Sequence, residues 1–127
     1  MHHEEQLSLI NRYMDAYNAF DIDGMLATLS PGIRFENYSG DAMTASATGV
    51  EEFRELAEHA KQIFAEREQR IVELQTGDDA IVATIAWRGT LADGIPDGPP
   101  AGTVLEMQGT SEFAFDGALI SRIIDRS

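Results

Sequence analysis

Hydrophobic residues in the first part of the chain recur every three or four positions. Over residues 4–20 they fall at Leu7, Ile10, Tyr13 or Met14, Tyr17 and Phe20, a spacing that puts them on one face of an amphipathic helix, with Arg12 and Asp15 toward solvent. Asp21 suits the N-cap of a second, short helix, and Asp23 sits in its first turn, where the helix dipole favours negative charge. Met25, Leu26 and Leu29 supply its apolar side, and Ser30-Pro31-Gly32 predicts its stop. The period then shortens to two. Ile33, Phe35 and Asn37 share one face and Arg34 and Glu36 the other, so residues 33–38 read as a strand with the Asn37 amide turned inward. Residues 39–48 are small and polar without a period and predict a loop. Helical spacing returns over residues 50–67, with Val50, Phe53, Leu56, Ala57, Ala60 and Ile63 or Phe64 on the inner side, glutamates near the start and Lys61 and Arg67 near the end.

The second half alternates. Residues 71–75 predict a strand, Gly77-Asp78-Asp79 a turn, and residues 80–91 a strand with Ile81, Ala83, Ile85 and Trp87 on one face and Val82, Thr84, Ala86 and Arg88 on the other. Both faces are largely apolar, which implies cover by helices on one side and by a second subunit on the other. Residues 93–102 hold three of the four prolines and cannot continue either flanking strand. Residues 103–115 form the next predicted strand, with Leu105, Met107, Gly109, Ser111, Phe113 and Phe115 on one face; Asp116-Gly117 is a tight turn, and residues 118–125 close the sheet. Ser111 is a polar residue in an apolar row. Three helices followed mainly by antiparallel strands, without repeats or a shift in composition, predict a single α+β domain over residues 1–127.

Charge and inventory narrow the function more than they define it. Nine basic against twenty-two acidic residues give a net charge of −13, which repels phosphate backbones and argues against nucleic acid as a partner. The chain has no cysteine, so a thiolate nucleophile, a disulfide and a cysteine metal site are excluded. No apolar run approaches the roughly 18 residues of a membrane span, and acids stand where a signal peptide would carry basic residues; a cytoplasmic protein is expected. Asp21-Ile22-Asp23-Gly24 lacks the remaining ligands of a calcium loop. Phosphate loops, dinucleotide glycine patterns and nucleophile elbows are absent, and His59, the only histidine beyond the terminal pair, reads as a solvated helix residue. No cofactor is expected.

Several strings taken together resemble the nuclear-transport-factor-2-like superfamily, which includes ketosteroid isomerases and SnoaL-like polyketide cyclases. They are Arg12-Tyr13 through Asn18-Ala19-Phe20-Asp21-Ile22-Asp23-Gly24, the strand ending at Asn37, Thr48-Gly49 before the third helix, and Glu112-Phe113-Ala114-Phe115-Asp116-Gly117 leading into Ile120-Ser121-Arg122-Ile123. The resemblance implies three helices packed on a strongly curved sheet, a cone with an internal pocket, and a homodimer formed through the outer sheet face. Ketosteroid isomerase moves a proton with an aspartate base and holds the enolate with a tyrosine and a protonated aspartic acid. In this chain Tyr13 falls on the oxyanion tyrosine, Asn37 on the base and Ser111 on the protonated acid. An amide has no proton-accepting capacity near neutral pH, so that mechanism is not expected in its standard form.

The resemblance to SnoaL-like proteins implies an acidic residue late in the final strand, which here is Asp125. The catalytic set is therefore Tyr13, Asn37, Ser111 and Asp125, with Tyr17, Trp87, Met107 and Phe113 as pocket wall. Plainer roles stand beside each of these. Tyr13 can be a core residue with a locally satisfied hydroxyl, Asn37 and Ser111 can satisfy each other, and Asp125 can pair with Arg122 or Arg126 or face water. Two functions follow: a cofactor-free isomerase, cyclase or lyase acting on a small hydrophobic carbonyl or cyclic compound, or a non-catalytic small-ligand or protein-interaction module of the same fold.

Overall fold

A computed structural model describes residues 3–94 and 98–127. The leading helix α1 (His3–Asn18) buries Leu9, Ile10, Tyr13, Met14 and Ala16. The chain reverses through Phe20, whose φ of 56° is left-handed, and enters α2 (Ile22–Leu26). Asp21 caps this helix as expected, its carboxylate accepting from the Gly24 N–H at 3.0 Å. There follow β1 (Leu29–Ser39), β2 (Ala42–Thr48), α3 (Val50–Ile63), β3 (Phe64–Thr76), β4 (Ile81–Leu91), β5 (Val104–Asp116) and β6 (Leu119–Arg126). These strands make one mixed sheet in the order β2-β1-β6-β5-β4-β3. The β1–β6 pair is parallel and the others antiparallel. The sheet is strongly curved without closing, and the three helices lie against it in the expected α+β cone. No helix among the described residues is long and apolar enough to cross a membrane.

Three boundaries differ from the sequence reading, each for a physical reason. Ser30-Pro31-Gly32 does not stop the chain before β1. It lies inside the strand, where the register with β6 shifts between Leu29 and Arg34, and proline is tolerated at such an irregularity because no ladder N–H is required. The expected loop over residues 39–48 contains β2, paired from Ser39↔Ala42 to Arg34↔Thr48. As an edge strand it buries only Ala47, so it needs no apolar alternation to hold its place. The third helix ends at Ile63, not near Arg67, because Phe64 is already extended (φ −112°, ψ 134°). The residues after it are good helix formers, yet pairing with β4 from Phe64↔Leu91 onward overrides propensity. That change carries Arg67 from a solvated helix end to a buried sheet position. The Pro-rich connection over residues 93–102 includes 95–97, which lie outside the described residues.

The core fills the space between α1 and the concave face of the sheet. Ile10 from the helix meets Ile33, Ile81, Phe113, Ile120 and Ile123 from four strands, all essentially inaccessible to solvent. Phe113 is therefore core. The sequence reading placed it in the pocket wall, but it is fully buried and does not line the cavity; its ring meets that of Tyr13 edge to face, with centroids 6.1 Å apart. Truncating it removes a filled aromatic position beneath Tyr13. Phe113→Ala should lower unfolding free energy by about 3–5 kcal/mol, measured by urea denaturation; a loss below about 1 kcal/mol would show that the site is not close-packed.

Candidate active site

The parallel pairing of β1 with β6 and the antiparallel pairing of β6 with β5 align three polar residues side by side. Asn37 is opposite Asp125, and Asp125 is opposite Ser111. Directly opposed residues on neighbouring strands point to the same face, so all three project into the cone. There they line a cavity of about 400 Å³ together with Tyr13, Tyr17, Phe35, Phe53, Ile85 and Trp87. Met107 also lines it, but is 49% exposed and belongs to its open rim. His59 is exposed, as a solvated helix residue is, although its place on α3 brings it to the same rim.

Asp125 is neither paired with an arginine nor turned to water. Arg122 instead binds Glu112 at 3.1 Å, and the Asp125 carboxylate accepts from the Ser111 hydroxyl at 2.5 Å. The mutual satisfaction of Asn37 and Ser111 contemplated from sequence does not occur, because Asp125 stands between them; the Asn37 amide donates to Thr44 Oγ1 at 2.7 Å. Asp125 is half-buried as a residue because part of it faces the cavity, yet protein encloses its carboxyl. Burial pushes that carboxyl up to about 6, against the lowering effect of the Ser111 hydrogen bond. The carboxyl that the isomerase pattern places at one flanking position or the other is thus supplied by the strand in between.

Tyr13 is 3% exposed and makes no hydrogen bond among the described residues. Burial first, and then the negative charge of Asp125, drive its hydroxyl well above the ordinary tyrosine range, so it remains a neutral donor at any physiological pH. One turn further along the same face of α1 the Tyr17 hydroxyl accepts from Trp87 Nε1 at 2.9 Å. Gly89 makes room for that indole, since a Cβ there would lie 2.6 Å from Trp87. Asn18 clamps the end of α1 to β3 by two bonds to the Gln69 backbone, at 2.7 and 3.1 Å.

The sequence reading missed Arg67. It is 7% exposed, lines the cavity, donates from Nε to the Tyr17 carbonyl at 3.1 Å, and lays its guanidinium 3.7 Å from the Tyr17 ring centroid. A period-two phase linking Arg67, Gln69 and Ile71 was present in the sequence, but it was hidden within a run of helix-forming residues. Among the described residues no group of three or more histidines and acids is placed to hold a metal ion. What the arrangement can do is polarise an oxygen with Tyr13 and Asn37 and move a proton through Asp125.

A cone of this construction, with a row of polar groups on the wall of a largely apolar cavity, has the ketosteroid-isomerase-like fold. Residues 10–123 match the model of the SnoaL-like domain, and the chain belongs to that family. A search of curated proteins gives no match. Solved structures with the same fold include a candidate polyketide cyclase from Xanthomonas campestris pv. campestris, with 17% identity, 98% of this chain and 90% of that one covered, and a TM-score of 0.82. AclR, a candidate hydroxylase from Streptomyces galilaeus, is 19% identical over 96% of this chain and 86% of its own, with a TM-score of 0.73. TerC, crystallised with polyporic acid, is 14% identical over 95% and 89%, with a TM-score of 0.76.

The raised Asp125 carboxyl has a consequence for stability. In the unfolded chain an aspartate titrates near 3.9, so between about pH 4 and pH 6 the native state binds more protons and stability falls as pH rises. Above about pH 6 that loss is complete, on the order of 2–3 kcal/mol relative to low pH. Asp125→Asn removes the charge and keeps an acceptor for Ser111. It should therefore stabilise the protein by on the order of 1–3 kcal/mol at pH 7 and have little effect at pH 4, as read from urea unfolding at the two pH values. Equal effects at both would contradict a buried, raised carboxyl.

Proposed function

We propose that this SnoaL-like protein is a cofactor-free enzyme that moves a proton on a small hydrophobic carbonyl or cyclic compound, as an isomerase, cyclase or lyase does, with Asp125 as the acid–base group. The observation that carries this reading is the Asp125 carboxyl, hydrogen-bonded by Ser111 inside an apolar cavity and held at about 6. A general base works best with a pKa near the working pH, and burial has brought this one close to it. The likeness to a candidate polyketide cyclase and to a protein crystallised with polyporic acid supports a cyclic, oxygenated substrate.

The chemistry follows from the row. A carbonyl compound seated in the cavity places its oxygen toward the Tyr13 hydroxyl and the free amide hydrogen of Asn37. The Asp125 carboxylate takes a proton from the adjacent carbon, and the electron pair of that C–H bond passes to the carbonyl oxygen as an enolate. Asp125 then carries the proton and returns it at another position, which is isomerisation, or the enolate carbon bonds to a second carbonyl carbon, which is cyclisation with the proton delivered to the new alkoxide. Ser111 keeps the carboxylate aimed. Neutral Tyr13 stabilises the developing oxyanion.

Proton abstraction can be read without knowing the natural substrate. In deuterated water the wild type should accelerate exchange at C1 of 2-tetralone, with a rate that rises through pH 6 and then levels as Asp125 ionises. Asp125→Asn should slow the exchange by about 10²–10⁴-fold while 2-tetralone still raises the melting midpoint. Exchange unaffected by Asp125→Asn contradicts the assignment, and ligand binding without exchange in the wild type favours a non-catalytic binding module.

A further inference from the structure

The register places Arg67 and Asp125 at separate parts of the cavity. Asp125 on β6 is opposite Ser111 on β5, which is opposite Ala83 on β4, whereas Arg67 on β3 is opposite Gly89, six positions further along β4. Both belong to the cavity lining, with apolar wall that includes Ile85 and Trp87. The cavity therefore has an enclosed carboxyl in one part and an enclosed guanidinium in another with apolar surface between, while its other arginine, Arg126, is exposed beside Asp125.

Arg67 has less around it than a buried cation needs. Of its five N–H groups only Nε has hydrogen-bond geometry to a partner among the described residues, the Tyr17 carbonyl. Nη2 is enclosed with none. The two ion pairs among the described residues involve Arg54 and Arg122, so no carboxylate balances this charge. The Tyr17 and Phe20 rings, 3.7 and 4.5 Å from the guanidinium carbon, stabilise the cation but accept no N–H in the guanidinium plane. The Nε bond alone is accounted for as a cap on the C-terminal carbonyls of α1. A guanidinium with unused donors, lining an apolar cavity, suits an anion.

We propose that the cavity takes an amphipathic ligand, an apolar ring system bearing a carboxylate or another planar anionic oxygen group, with the anionic end seated on Arg67 and the ring portion extending toward Asp125. This rests on the cavity being the ligand site under the function proposed above, but it does not require Asp125 to act as a base. The Tyr17 hydroxyl, which accepts from Trp87 and keeps its own proton to donate, is a second donor on the same side. Overall charge works against such a ligand. At a net charge of −13 the molecule repels anions at long range, so any preference for an anion must originate in a local group, and Arg67 is the cavity's enclosed cation.

A matched pair of probes tests this by calorimetry at pH 7.5: 2-naphthoate and 2-naphthamide, nearly equal in shape and differing in charge. Wild type should bind the naphthoate at least tenfold more tightly than the amide. In Arg67→Gln the preference should vanish while amide affinity stays within about threefold, an outcome that a purely structural arginine would not produce; Arg67→Lys should keep part of it. Should Arg67→Gln fail to fold, the wild-type pair and Arg67→Lys still decide. Equal or tighter binding of the amide by wild type, or a preference that survives in Arg67→Gln, overturns the proposal. Asp125→Asn should leave the preference in place, so failure of the base assignment is told apart from failure of this one, and absence of binding by either probe overturns both the anion site and the cavity reading beneath it.

Discussion

A carboxyl group enclosed by apolar side chains is costly to ionise unless other groups hydrogen-bond it, and that constraint organises this cone. Asp125 is met by the Ser111 hydroxyl from one neighbouring strand and flanked by Asn37 from the other. The antiparallel β5–β6 pairing brings Ser111 to Asp125 and the parallel β1–β6 pairing brings Asn37 beside it, so the two registers together set the three residues in one row. The approach of the last strand depends in turn on Gly109, where a Cβ would collide with the Arg126 carbonyl oxygen. Against this row lies Tyr13, held by the rings of Phe53 and Phe113 at centroid distances of 6.4 and 6.1 Å. The carboxyl is satisfied enough to exist and desolvated enough to be shifted.

The far part of the cavity is built by a different set of bonds. Asn18 ties α1 to the backbone of β3, Arg67 caps the Tyr17 carbonyl, and Trp87 donates to the Tyr17 hydroxyl. The Asn18 bonds give the Gln69 backbone of β3, the last strand in the sheet order, polar partners from the helix. The same residues that fasten helix to sheet carry the donors of the proposed anion site. Under that proposal stability and recognition share side chains, whereas the cost of the buried carboxyl falls on stability alone, a trade-off common in functional sites.

The fold was legible because its long elements advertise themselves. The three-to-four spacing of α1, the Asp21 cap and the alternation of β4 and β5 each reflect a buried face, and a buried face leaves a period in the sequence. Where burial does not decide, the signal fades: β2 is an edge strand of small residues, and the start of β3 is written in helix formers whose fate depends on pairing with β4. That second ambiguity concealed Arg67, since a residue's facing is unknowable when its element is misassigned. Asn37 and Ser111 were visible as polar residues on inward-facing strand positions, and Asp125 through the resemblance of the final strand to SnoaL-like proteins. Their adjacency was not, because it arises from register between strands distant in sequence. Phe113 illustrates the converse: alternation shows that it faces inward, but only packing reveals that it lies under Tyr13 and not in the open cavity.

The proposed chemistry needs one carboxyl group, and the titration of that group can be observed directly. In protein labelled with carboxyl-¹³C aspartate, the resonance absent from Asp125→Asn identifies the group, and its chemical shift followed from pH 3 to pH 8 gives the midpoint. A midpoint of about 6 is the predicted result. A midpoint near 4, the value of a solvated aspartate, would contradict the enclosure of Asp125 and with it the chemistry assigned to the row Asn37, Asp125 and Ser111.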